Sequence, residues 1–181
     1  INPWNKYMRM GKIGAWVATN TLDRHQLAEL VRRLDDLGYA ALWYPESTSY
    51  DSLSLGAFLL SKSERLVVAS GIANIYARDA YTTMAGHNSL NTLYGDRFVL
   101  GLGVSHVPLV TGRRGHKYGK PVATMRDYLG QMDEAELDLA PPTRNLVLAA
   151  LGPKMLRLAR DMTCGALPYC CLLYTSDAAD E

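Results

Sequence analysis

Apolar positions along this chain alternate between two patterns. Short runs of adjacent apolar residues give way to longer stretches in which apolar side chains recur every three or four positions, with short joints between. GKIGAWV (Gly11–Val17) is the first run and predicts a strand. Asp23 with Gln26 three residues later is a capping-box pattern, and Leu27, Leu30, Val31, Leu34 and Leu37 mark the buried face of a helix that Gly38 ends. YAALWYP (Tyr39–Pro45) predicts the second strand and Leu53–Ser61 the second helix. RLVVASGI (Arg65–Ile72) is the third strand, its adjacent β-branched residues suiting burial on both faces. Tyr81–Tyr94 predicts a helix, RFVLGLGV (Arg97–Val104) the fourth strand, and Pro121 starts a helix with Val122, Met125, Leu129 and Met132 inward. NLVLAAL (Asn145–Leu151) is the fifth strand, Pro153 opens a helix with Met155, Leu158, Ala159 and Met162 inward, and Gly165–Tyr169 begins a sixth strand.

Five strand–helix units with near-continuous apolar strands predict a parallel sheet covered by helices. A doubly wound sheet and a (β/α)8 TIM barrel both fit that alternation. The first strand is not followed by G-x-G-x-x-G, and no acidic residue ends the second in the dinucleotide position, so the barrel is preferred. Such a barrel typically needs ~250 residues, so the chain supplies about five and a half of the eight units.

Composition narrows the setting. The chain has 181 residues, 48% hydrophobic and 20% charged, with a formal net charge of +1. That balance gives no reason to expect nucleic acid or a membrane surface as partner. The three cysteines (Cys164, Cys170, Cys171) all lie near the C-terminus, so a reducing, cytoplasmic setting is expected. Four histidines without a paired spacing give no metal site. Residues 171–181, CLLYTSDAADE, match the translation of a transposon-end sequencing adapter. The expected organisation is therefore an N-terminal extension (1–10), a partial barrel domain (11–169) and an adapter-derived tail (170–181). A barrel cut at that point is expected to expose strand edges, and the isolated chain to aggregate and be inactive.

Four strand-end segments carry a more specific signal: ALWYPES (41–47), ASGIANIYARD (69–79), GDRFVLGLGVSH (95–106) and AALGPKMLRLA (149–159). In order and spacing they resemble the luciferase-like superfamily, and among its branches the oxidoreductases that use coenzyme F-420, a deazaflavin. The resemblance covers roughly Gly11 to Tyr169. It implies a luciferase-like TIM barrel that passes a hydride between the deazaflavin and a small organic substrate, with a homodimer possible. An FMN-dependent monooxygenase and a non-catalytic cofactor-binding protein are the alternatives. All four segments fall where TIM barrels place catalysis, at the C-terminal ends of strands.

The resemblance also implies roles for single residues. Gly71, Ile72, Ala73 and Asn74 correspond to a bulge with a cis Gly71–Ile72 peptide behind the cofactor ring, and Asn74 to a ligand of the ring's polar edge or a brace of the bulge. Gly101 and Gly103 correspond to glycines that leave room beside cofactor and substrate. Ala149, Ala150 and Gly152 lie where the cofactor's side chain is held, at a helix N-terminus that itself favours an anion. Tyr76 and Arg78 are expected along the crevice, with Arg78 equally able to pair near Asp79 or face solvent. His106 stands where related enzymes carry a proton-donating acid, and imidazole can do that work near neutral pH. Glu46 matches an acidic position beside the ring; by residue type alone it equally fits a helix cap. Ser47 stands where the family often has histidine, which shifts the acid–base role toward His106. GRRGHKYGK (112–120) is either a solvated basic loop or an attractor for an anionic cofactor tail or substrate. His25 and His87 are expected to be structural.

Overall fold

The computed structural model describes residues 11–141 and 143–168. The N-terminal extension, the adapter-like tail and Tyr169 lie outside them. The elements are β1 (Gly14–Trp16), α1 (Arg24–Asp36), β2 (Ala41–Tyr44), α2 (Ser52–Leu60), β3 (Val67–Ser70), β4 (Ala73–Asn74), α3 (Ala80–Leu93), β5 (Phe98–Gly103), a π-helical segment (Pro108–Arg113), α4 (Pro121–Asp133), β6 (Leu146–Ala149), α5 (Pro153–Met162) and β7 (Gly165–Leu167). The strands form a parallel, curled sheet in the order β1-β2-β3-β5-β6-β7. This is part of a TIM barrel.

Capping explains where the helices begin. Asp23 accepts from the backbone N–H groups of His25 and Gln26, while the Gln26 side chain accepts from Asp23 N–H, so two orphan donors are satisfied reciprocally. Asp51 and Asp79 cap α2 and α3 in the same sense, each accepting from the N–H three residues on. Leu37 departs from its expected inward place. The helix stops at Asp36, Leu37 becomes the C-cap, and its side chain is 74% exposed. Gly38 then takes a φ of +76°, which a side chain would resist.

The two faces of the sheet differ. Leu42, Val68, Phe98, Leu100 and Leu148 pack with helix residues such as Leu27, Leu59 and Met125 in the main core. On the other face Ala41, Val67, Ala69, Val99 and Val147 form a small cluster against Trp43. Register pairs Trp16 with Trp43, and Trp43 with Ala69. Among the described residues β1 and β7 each keep one unpaired edge. No helix there is long and apolar enough to cross a membrane.

His87 on α3 is fully buried, its Nδ1 facing Asn88 Oδ1 and its Nε2 without a partner. Burial, reinforced by Arg144, pulls its pKa down to about 4 from 6.5. The unfolded chain therefore binds more protons between those values, so stability falls as pH drops through 6.5 and levels off below 4. The loss is expected to be about 3 kcal/mol by pH 4, since the value falls from 6.5 to about 4 and each pKa unit is worth ~1.4 kcal/mol. Urea unfolding between pH 7 and pH 4 checks it: His87→Gln should remove most of that slope, and an unchanged slope assigns it to other groups.

Candidate functional site

The third strand does not run straight to its C-terminal end. β3 stops at Ser70, the Gly71–Ile72 peptide is cis, and β4 resumes at Ala73 to pair with the end of β5. Neighbouring strands pin the turn on both sides. Gly71 N–H donates to Tyr44 O (2.7 Å), Trp16 Nε1 donates to Gly71 O (3.1 Å), and Glu46 N–H donates to Ile72 O (3.1 Å). On the β5 side, Ser70 Oγ accepts from Gly101 N–H and donates to Gly101 O, both at 2.9 Å. A backbone that leaves its strand loses ladder bonds, and here Gly71 N–H, Gly71 O and Ile72 O each find another partner.

That geometry dictates the two glycines of β5. A Cβ on Gly101 would lie 2.1 Å from Ser70 O, and one on Gly103 would lie 2.6 Å from Ile72 Cγ1. From sequence, the missing side chains are expected to leave room beside a cofactor. In the structure the chain's own bulge takes that room, because Ser70 and Ile72 press against β5.

Glu46, at the end of β2, has a side chain 3% exposed with both oxygens engaged. Oε1 accepts from Ser52 N–H (3.2 Å) and from Arg78; Oε2 accepts from Asn74 N–H (2.7 Å) and from Arg78 Nη1 (3.3 Å). Arg78 also donates to Asp51. One buried guanidinium thus clasps both ends of the β2–α2 loop. Burial alone would lower the Arg78 pKa, but its bonds to Glu46 and Asp51 outweigh that and raise it. Glu46 also accepts from the first N–H of α2, but it is buried and ion-paired rather than solvated, and the N-cap of that helix is Asp51. Tyr128 supports this corner by donating to Arg78 O (3.0 Å), and burial pushes its own pKa up to about 12.

Farther along the strand ends, Ala149 neighbours Gly103, Ala150 N–H donates to Leu167 O (3.4 Å), and buried Gly152 is the N-cap of α5. Asn74 is 1% exposed; its Oδ1 accepts from Tyr76 N–H (3.0 Å), while its Nδ2 is buried without a partner. His106 follows β5 after Ser105, whose φ is +58°. The His106 ring is exposed, and its carbonyl anchors the π-helical segment by accepting from Leu109 and Val110 N–H. The basic loop folds back onto Tyr76: the Tyr118 ring stacks on it at 5.8 Å, and Gly119 N–H donates to Tyr76 Oη (2.9 Å). A cavity of about 380 Å³ opens between the β2–α2 loop and the π-helical segment.

The sequence profile of luciferase-like monooxygenases matches residues 7–170. The chain belongs to that family. Within it, the chain is 29% identical over 123 residues to a protein of Mycobacterium tuberculosis named as a coenzyme F-420-dependent oxidoreductase, covering 67% of this chain and 35% of that one. It is 26% identical over 165 residues to the 5,10-methylenetetrahydromethanopterin reductase of Archaeoglobus fulgidus, covering 79% and 48%. The chain thus spans half or less of the length of these curated relatives. The solved structure of the F-420-dependent tetrahydromethanopterin reductase from Methanopyrus kandleri superposes with a TM-score of 0.70 at 16% identity, over 85% of this chain and 54% of that one. That likeness shows the luciferase-like fold.

Of the residues singled out from sequence, the structure gathers Glu46, Gly71, Ile72, Ala73, Asn74, Gly101, Gly103 and Ala149 around the bulge through direct contacts or strand pairing. Ala150 and Gly152 follow on the same edge. No hydrogen bond joins the His106 ring to this group. Sequence reasoning missed the Ser70 hydroxyl, the Trp16 indole and the Arg78–Glu46 clasp. Arg78 and Glu46 lie 32 residues apart. The available signal was opposite charge at the ends of strands two and three, which sit side by side in a barrel.

Proposed function

We propose that this protein is an oxidoreductase that passes a hydride between coenzyme F-420 and a small organic substrate. The observation that carries the reading is the bulge at the end of β3, pinned by Trp16, Tyr44, Glu46 and Gly101 and followed by a buried, unpartnered Asn74 Nδ2. A buried donor with nothing to donate to fits the polar edge of a flat heterocycle. Gly71, Ile72, Ala73 and Ala149 offer the small and apolar wall that such a ring needs. When bound, the deazaflavin supplies the two-electron hydride carrier. Ala150, Gly152 and the N-terminus of α5 would hold its acidic side chain. Gly101 and Gly103 shape the bulge, and Glu46 positions it through Ile72 O. His106 is the proton-handling group of the proposal, following β5 at the strand-end edge. Two relatives named for F-420 or methanopterin chemistry support the choice of cofactor class.

Equilibrium fluorescence titration of the purified protein with F-420 and with FMN tests this. F-420 is expected to bind at least about tenfold more tightly, a difference of ~1.4 kcal/mol. Tighter binding of FMN would overturn the deazaflavin assignment in favour of a monooxygenase.

A further inference from the structure

We propose that Trp16 is a cofactor-positioning residue: its indole N–H fixes the Gly71 carbonyl, and the exposed remainder of the indole forms one wall of the ring site. This role rests on the protein's binding a deazaflavin at the bulge. β1 and β7 are the first and last strands in sheet order, yet side chains from both reach Gly71. A Cβ built there would lie 3.1 Å from Trp16 Nε1, 3.3 Å from Trp16 Cδ1 and 3.4 Å from Leu167 Cδ2. Gly71 therefore sits in a narrow gap between an indole and a leucine. A side chain at position 71 would fill that gap.

The indole has one polar atom, and that atom is engaged. Nε1 donates to Gly71 O at 3.1 Å, which sets the orientation of the side chain. The rest of the ring is not covered, since Trp16 is 38% exposed. A tryptophan whose N–H is satisfied and whose ring stays open offers an apolar, polarisable face. Its base is firm. In register Trp16 pairs with Trp43 and Trp43 with Ala69, so the three side chains share one face of the sheet. Trp43 packs there against the cluster that holds Ala41, Val67 and Ala69. One residue beyond Trp16, Val17 N–H donates to Trp43 O (2.9 Å) and keeps β1 on β2. A planar ring seated on Gly71 would be bounded by the indole and by Leu167, because both already stand within contact distance of that position. Aromatic contacts contribute beyond the area they bury. Trp16 thus joins a fixed backbone carbonyl to a side wall, two things that orient a flat heterocycle.

Nuclear magnetic resonance and fluorescence titration on the whole chain test the role. With isotope-labelled tryptophan, the Trp16 indole N–H signal is identified by its loss in Trp16→Phe. Before any cofactor is added it is expected to exchange slowly with deuterium, as a held N–H does, and F-420 should then shift it. Trp16→Phe keeps a ring but loses the donor, and should weaken F-420 by about tenfold, the upper range for one hydrogen bond. Trp16→Leu loses the aromatic wall as well and should weaken it by about thirtyfold or more. The deazaflavin chromophore without its acidic side chain should lose affinity by the same factors, because Trp16 acts on the ring. Circular dichroism and urea unfolding report whether each variant is folded. A folded Trp16→Phe that binds F-420 as tightly as wild type, or an indole signal that F-420 leaves in place, would make Trp16 a structural residue and overturn the proposal. A loss confined to full-length F-420 and absent for the bare chromophore would overturn it too. Wild-type protein that binds no F-420 overturns the deazaflavin reading and this role with it, whereas the preceding failures leave that reading standing.

Discussion

Arg78→Ala is expected to destabilise the protein by about 3–5 kcal/mol, the usual result of removing one partner from a buried ion pair. The Arg78 and Glu46 side chains are 9% and 3% exposed. Without the guanidinium, Glu46 would keep its bonds from Ser52 and Asn74 N–H but stay buried as an uncompensated charge. Urea unfolding of wild type and variant at pH 7 measures the loss. The double variant Arg78→Met, Glu46→Gln should recover much of the loss, because it removes the stranded charge. A single-variant loss below about 1 kcal/mol would mean that the pair behaves as a solvated surface bridge.

Gly101→Ala is expected to cost about 3 kcal/mol or more, at or beyond the upper end of ordinary overpacking. Its added methyl would meet the Ser70 carbonyl at 2.1 Å, and that carbonyl belongs to backbone fixed by two Ser70–Gly101 hydrogen bonds. Relief requires moving β3 away from β5 at the root of the bulge. Gly103→Ala provides the contrast. Its methyl would meet Cγ1 and Cδ1 of Ile72, a side chain that can rotate, so a cost of about 1 kcal/mol is expected. Thermal and urea unfolding of the two variants tests the ranking. Equal costs would show that the bulge moves as easily as a side chain.

Local signals were the ones legible in the sequence. The Asp23–Gln26 capping box, the Pro121 and Pro153 helix starts and the apolar strand runs depend on neighbours within a few residues, and the structure has them where expected. Strand ends were read too long, since Arg65–Ile72 spans a strand and a bulge that apolar content cannot separate. Leu37 continues the apolar period of α1 in sequence, but a period does not show where the backbone turns. The site was legible as a set of strand ends and not as a set of bonds. Glu46 drew attention as an acid, while its partners come from positions 52, 74 and 78, and only the pairing of β2 with β3 brings those together. The π-helical turn at Pro108–Arg113 has no periodic signature of its own at six residues.

The clasp formed by Arg78 bears on how this protein could diversify. Glu46 and Asp51 are tied to the same guanidinium, so the four residues between them, Ser47 to Tyr50, form a short insert anchored at both ends. The bulge depends on residue 46 and the start of α2 on residues 46 and 51, whereas Ser47, Thr48 and Ser49 give neither of them a hydrogen bond. Exchanging those three side chains should alter what the neighbouring cavity accepts while leaving the backbone turn at Gly71–Ile72 in place. Ligand preference can then drift in one segment at little expense to the scaffold, which makes positions 47–49 a natural starting library for directed evolution.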